Sequence, residues 1–157
     1  MASRSLAAAA AAAVALLLGV PGCGGHGASP SDQADQAVRT FLAAAAHEQW
    51  QVACGALTKG QQAALVAQAK QGLLTQNASD CTSALADATS SSPLPAATLR
   101  QQADRELSSL RITATHVTGA RATVAFSLVD VSSNQRRSAS VDLVKQDGRW
   151  KIASGAA

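Results

Sequence analysis

The apolar positions of this chain change period once. From Ala34 to Leu110 they recur at intervals of three and four residues; from Arg111 onward they alternate. The first spacing predicts helices and the second predicts strands. Ala34, Val38, Phe41, Leu42 and Ala45 share one helical face, with Ser31 as the expected N-cap and Asp32 and Asp35 near the positive end of the helix dipole. Trp50, Ala53, Cys54 and Leu57 predict a second, short helix that Gly55 weakens. Thr58 can cap a third helix carrying Leu65, Ala69, Leu73 and Leu74. Around Cys81, "SDCTSALADA" reads as another helical stretch capped by Ser79 or Asp80. "TSSSPLPAA" is a break, and "TLRQQADREL" reads as a helix or a loose connector.

Four segments then read as strands: "RITATHVT", "RATVAFSLVD", "RRSASVDLVK" and "RWKIA". Connections of hairpin length separate them, and Asp147-Gly148 is the strongest turn signal. In the second strand Ala122, Val124, Phe126 and Leu128 share a face, and Val141, Leu143, Trp150 and Ile152 extend it. Helices before a short-connected meander predict an α+β fold, with N-terminal helices packed on a four-stranded antiparallel sheet.

The first residues follow neither pattern. Arg4 supplies a positive charge, and Leu6 to Val20 is uncharged and apolar on every face. A core helix of a small domain would show a polar stripe. Fifteen residues also cover only about 22 Å as a helix, short of the ~30 Å hydrocarbon core. The stretch reads as a signal peptide over residues 1–22. Val20, Pro21, Gly22 and Cys23 then resemble the lipobox of bacterial lipoproteins. That resemblance implies a diacylglyceryl thioether on Cys23, cleavage before it and acylation of the new amine, with chains such as palmitate. It implies in turn an exported protein lipid-anchored on the outer face of the cell membrane. "GGHGASPSDQ" lacks a hydrophobic period, so residues 23–31 read as a flexible tether and residues 32–157 as one domain. His26 has no partner at metal-ligand spacing and reads as a solvated linker residue.

Composition narrows the function. Formal charge is +3, and loss of Arg4 with the leader lowers it by one. Basic residues are scattered, with Arg136-Arg137 the one adjacent pair, expected at a solvated turn edge. Aromatics are 3% and tyrosine is absent, which removes the stacking platforms that single-stranded nucleic acid needs. Nucleic-acid partners are therefore not expected. The three cysteines make an odd count. With Cys23 acylated, Cys54 and Cys81 remain as a pair, and in an exported chain they read as a disulfide. No CxxC is present, and two distant thiols supply too few ligands for a metal.

The helical half with "FLAAAAHEQWQVACGALT", the second cysteine and the closing "VDLVKQDGRWKI" hairpin together resemble actinobacterial lipoproteins of the nuclear transport factor 2-like (NTF2-like, SnoaL-like) superfamily. The resemblance covers roughly residues 32–154. It implies a cone-shaped, cystatin-like domain in which a curved sheet wraps helices around a cavity. Enzymes of that superfamily use a cavity carboxylate and an oxyanion donor, commonly tyrosine, which is missing here. His116 and Asp130, with His47 as a possible third member, are the best acid–base candidates, but no spacing ties them together. No G-x-S-x-G elbow, P-loop or dinucleotide fingerprint follows a strand. The expectation is a non-catalytic domain without metal or cofactor, binding a small apolar ligand or an envelope protein. Phe41, Trp50, Val124, Phe126 and Leu128 are the candidate pocket walls, and His116 and Asp130 the polar groups at its mouth. Trp50 and Trp150 can equally serve as core anchors. The alternative is an envelope enzyme that uses the His116/Asp130 pair.

Overall fold

A computed structural model describes residues 28–71, 78–90 and 92–155. The signal segment, Cys23, His26, Leu73 and Leu74 lie outside the described residues. Helix α1 spans Pro30–Ala46, α2 Trp50–Ala56, α3 Lys59–Gln71, α4 Cys81–Ser90 and α5 Ala96–Ser108. Strands β1 Arg111–Thr118, β2 Arg121–Asp130, β3 Gln135–Gln146 and β4 Arg149–Ser154 follow. They form one antiparallel sheet in the order β1-β2-β3-β4. The fold is α+β, with helices on one face of a four-stranded meander.

Helix α1 is capped two residues before its expected N-cap. Ser29, rather than Ser31, caps it: the Ser29 side chain accepts from the Asp32 backbone N–H, and the Asp32 carboxylate accepts from the Ser29 N–H. Pro30 occupies N1, where its missing N–H costs nothing and its fixed φ already suits a helix. The last two residues assigned to the tether are thus helical. Thr58 caps α3 as expected, its hydroxyl accepting from the Gln61 N–H at 3.2 Å. Asp80 caps α4 by accepting from the Ser83 N–H, and Ser83 Oγ accepts in return from the Asp80 N–H. The segment left between helix and connector is helical throughout α5.

Ala34, Val38, Phe41 and Ala44 are the buried positions of α1, spaced to form one stripe. They pack on the inner face of the sheet, where Val124, Val141, Leu143 and Ile152 are almost fully enclosed. The β3–β4 turn has positive φ at both Asp147 and Gly148, the type I′ geometry that two-residue hairpins favour. Leu57 bridges Ile152 in parallel, and the Thr58 N–H donates to the Ile152 carbonyl at 2.9 Å. The chain leaving α2 therefore covers the outer edge of β4. Cys54 on α2 is bonded to Cys81 at the start of α4, with Cα atoms 6.0 Å apart.

Register is not uniform. β1 pairs Ile112 with Phe126 and then Ala114 with Ala125, so Thr113 is an extra residue in the ladder. Beyond it Thr115 and Val117 face inward, opposite Val124 and Ala122. The Thr115 hydroxyl donates to Asp35 on α1, which ties the bulged strand to the helix.

Candidate functional site

A cavity of about 320 Å³ lies between α1 and the far half of the sheet. Val38, Phe41 and Leu42 form its helical wall; Phe126 and Leu128 of β2 and Ala139 and Val141 of β3 form the opposite wall. Two local patterns make this wall. On α1 the three apolar residues follow helical spacing, and on β2 Phe126 and Leu128 are alternate residues of the inner face. Arg137, Ser138 and Gly155 complete the rim. Gly155 has φ of +76°, and a Cβ built on it would stand 2.3 Å from the Ser140 carbonyl oxygen. Only glycine lets the chain leave β4 this close to β3.

The rim is ordered by charge. Arg137 Nη2 lies 2.7 Å from Asp130 Oδ2. Asp130 Oδ1 accepts from the Ser132 hydroxyl and from the backbone N–H groups of Ser132 and Ser133, at 2.9 and 3.0 Å for the latter two. The Ser132 hydroxyl, the Ser133 N–H and the Arg137 charge hold the Asp130 carboxyl down at about 2. Asp130 is thus ionised at neutral pH, where it accepts from the β2–β3 turn and pairs with Arg137 on the cavity rim. Arg136 donates to Ser127 Oγ at 3.0 Å, which satisfies a hydroxyl buried on the sheet's other face.

The residues singled out from the sequence fall in several places. Phe41, Phe126 and Leu128 meet at the cavity. Val124 is on the same face of β2 but is wholly enclosed, deeper in the core. Trp50 is half-buried at the start of α2 and lines a separate cleft with Glu48, Ala88 and Leu99. His116 is exposed on the outer face, paired with Thr123. Thr123 and Asp130 are seven residues apart on β2, about 23 Å along the strand, so His116 and Asp130 do not meet. His47, at the end of α1, lies 3.8 Å from Asp104 of α5, beside an ion pair between Glu48 and Arg100 at 3.2 Å. Trp150 is a core residue with Lys145 Nζ 5.7 Å above its ring.

Arg137 is exposed beside the β2–β3 turn, as expected, and it is also the ion-pair partner of Asp130 on the cavity rim. Its place follows from the hairpin: with Val131 to Asn134 in the turn, Leu128 stands opposite Arg137. Ala139 opposite Phe126 follows by the same count. Among the described residues no group of three or more His, Cys, Asp or Glu side chains is placed to hold a metal ion.

No family model and no curated protein matches this chain. Solved structures do. An NTF2-like protein of unknown function from Shewanella oneidensis is 14% identical with a TM-score of 0.43, over 80% of this chain and 99% of that one. An NTF2-like candidate transpeptidase from Campylobacter jejuni is 10% identical with a TM-score of 0.42, over 76% and 96%. A SEC-C motif-containing protein from Rhodopseudomonas palustris is 17% identical with a TM-score of 0.44, over 83% and 79%. Two of these three neighbours are thus NTF2-like proteins.

Proposed function

We propose that this chain is an exported, lipid-anchored binding protein of NTF2-like type, whose cavity takes a small apolar molecule without transforming it. The observation that carries the reading is the wall of Phe41, Leu42, Phe126 and Leu128 around about 320 Å³. Small-molecule sites are mostly apolar with a few placed polar groups, and fall in this range of volume at its lower end. Arg137 and Ser138 are the polar groups here. The acid–base reading draws no support from His116 and Asp130, which lie at separate places on the sheet. General acid–base chemistry needs such groups within hydrogen-bond reach of one substrate.

Export and anchoring rest on the leader and on Cys23, and the Cys54–Cys81 bond suits an oxidising compartment. Two or more acyl chains hold a protein stably where one holds it marginally. The intact mass of membrane-extracted protein tests the anchor. It should correspond to a chain beginning at an acylated Cys23; a different mature N-terminus with a free Cys23 thiol would contradict it.

The cavity is tested with the uncharged fluorophore N-phenyl-1-naphthylamine on a chain of residues 24–157, which contains every element described. Binding should saturate at one site and be abolished by Ala139→Trp, which fills the cavity from an exposed position on β3. Failure to saturate, or equal binding by the variant, would reject the binding function.

A further inference from the structure

We propose that the end of the sheet carrying the β1–β2 and β3–β4 turns rests on a membrane surface rich in anionic headgroups, so that the domain stands end-on with its cavity away from the bilayer. The proposal rests on the reading of Cys23 as the acylated anchor. Both turns lie at one end of the sheet, since the Lys145 N–H donates to the Ala120 carbonyl at 2.8 Å. Four basic side chains gather there. Arg121 stands opposite Val144, and Val144 opposite Lys151, which puts the two cations in one row across three strands. Lys145 lies over Trp150, and Arg149 faces Gln146 across the hairpin. Lys151 also donates to the Gly55 carbonyl, so its ammonium is held at this edge.

Three carboxylates, Asp147, Asp32 and Asp142, stand against these four cations, so this end keeps a small positive excess. Asp147 is at the turn itself. Asp32 is bound into the cap of α1 by Ser29, and Asp142, one row inward, accepts from Thr123 and Ser154. The arginines at the opposite end of β3 are committed differently, Arg137 to Asp130 and Arg136 to Ser127.

The start of the described chain identifies the occupant. Ala28 borders the same groove as Gly148, Arg149, Trp150 and Lys151, and Val52, an exposed apolar side chain, lies on its other bank. Cys23 is five residues before Ala28. Even fully extended, those residues span at most about 18 Å. An acylated Cys23 therefore holds the start of α1, and the groove beside this basic end, within about 18 Å of the headgroups. Each Lys or Arg near an anionic surface strengthens attachment roughly five-fold, an attraction that falls off within a Debye length and weakens with salt. Lys145 and Arg137 are eight residues apart on β3, about 26 Å. The cavity rim at Arg137 thus faces away from the membrane.

The test uses the processed, acylated protein reconstituted into vesicles of phosphatidylcholine alone or of phosphatidylcholine mixed with phosphatidylglycerol. A water-soluble acetylating reagent labels lysines, and peptide mass spectrometry reads the rate at each. Lys145 and Lys151 should react several-fold more slowly on the anionic vesicles, with high salt or Arg149→Glu restoring the rate. Lys70, at the end of α3, should react equally on both. Equal rates at Lys145 on the two vesicles, in a protein whose mass shows acylation, overturn this proposal alone. A mass without acyl chains overturns the anchor reading and this proposal with it.

Discussion

The sheet with α1 and the group of helices α3 to α5 are held by different forces. In the first region Ala34, Val38, Val124, Leu143 and Ile152 are each at most 1% exposed, and they come from elements far apart in sequence. In the second, α3 and α5 contain no buried residue, and α4 buries only Cys81 and Ala84. What fastens α3 and α4 is the Cys54–Cys81 bond, a hydrogen bond of 2.6 Å from Gln62 Nε2 to the Cys54 carbonyl, and the partly buried Leu65 and Leu85. Polar contacts from Glu48 to Arg100 and from Glu106 and Ser109 to the β2 end fasten α5. Apolar burial scales with area removed from water, and helices with so little of it need a crosslink. An oxidising compartment can therefore preserve a helical layer that packing alone would hold weakly.

The largest expected effect belongs to the first region. Leu143→Ala removes an enclosed side chain from the centre of the inner face, and should lower stability by roughly 3–5 kcal/mol in chemical denaturation. A loss near zero would mean that the sheet and α1 do not share one core. Next is the disulfide. Closing a loop with a sequence separation of 27 is worth roughly 3–4 kcal/mol on the chain-entropy estimate. In a Cys54→Ser/Cys81→Ser variant, amide exchange should quicken through α3 and α4 before β2 and β3 are affected. Equal loss of protection everywhere would show that the two regions unfold as one.

A smaller effect is expected at the cavity wall. Phe126→Ala opens space already partly empty, so it should cost less than the ~3–5 kcal/mol of a filled core, and it should weaken naphthylamine binding. The smallest effect belongs to Asp130. Its folded carboxyl lies at about 2, against an ordinary 3.8. A depressed carboxylate contributes stability above its unfolded value and loses it as pH falls through the folded one. Asp130→Asn should therefore lower the melting temperature slightly at neutral pH. The gap should close between about pH 4 and pH 2, and a gap independent of pH would contradict the assignment.

Much of the sheet was legible because alternation, hairpin-length connections and Asp147-Gly148 all point the same way. The cysteine pair was legible by elimination. The residues that moved did so for reasons outside local pattern. Ser29 displaces Ser31 as the cap because Pro30 fits N1 and Asp32 then falls at N3. His116 turns outward because the extra Thr113 reverses the phase of β1; an unbroken alternation from Ile112 would have aimed it at the helices. Val124 and Phe126 share a face, yet only Phe126 reaches the cavity. The position of the cavity depends on where α1 crosses the sheet, and period-two spacing carries no information about that crossing.

The central claim is that the space between α1 and the Arg137 half of the sheet receives an apolar molecule. Its most direct test is a ¹H–¹⁵N spectrum of the domain titrated with N-phenyl-1-naphthylamine. The account predicts shifts concentrated at Ser138, Ala139, Val141 and Gly155, with His116 and Thr123 on the outer face unmoved. Shifts centred elsewhere, or none at saturating probe, would contradict it.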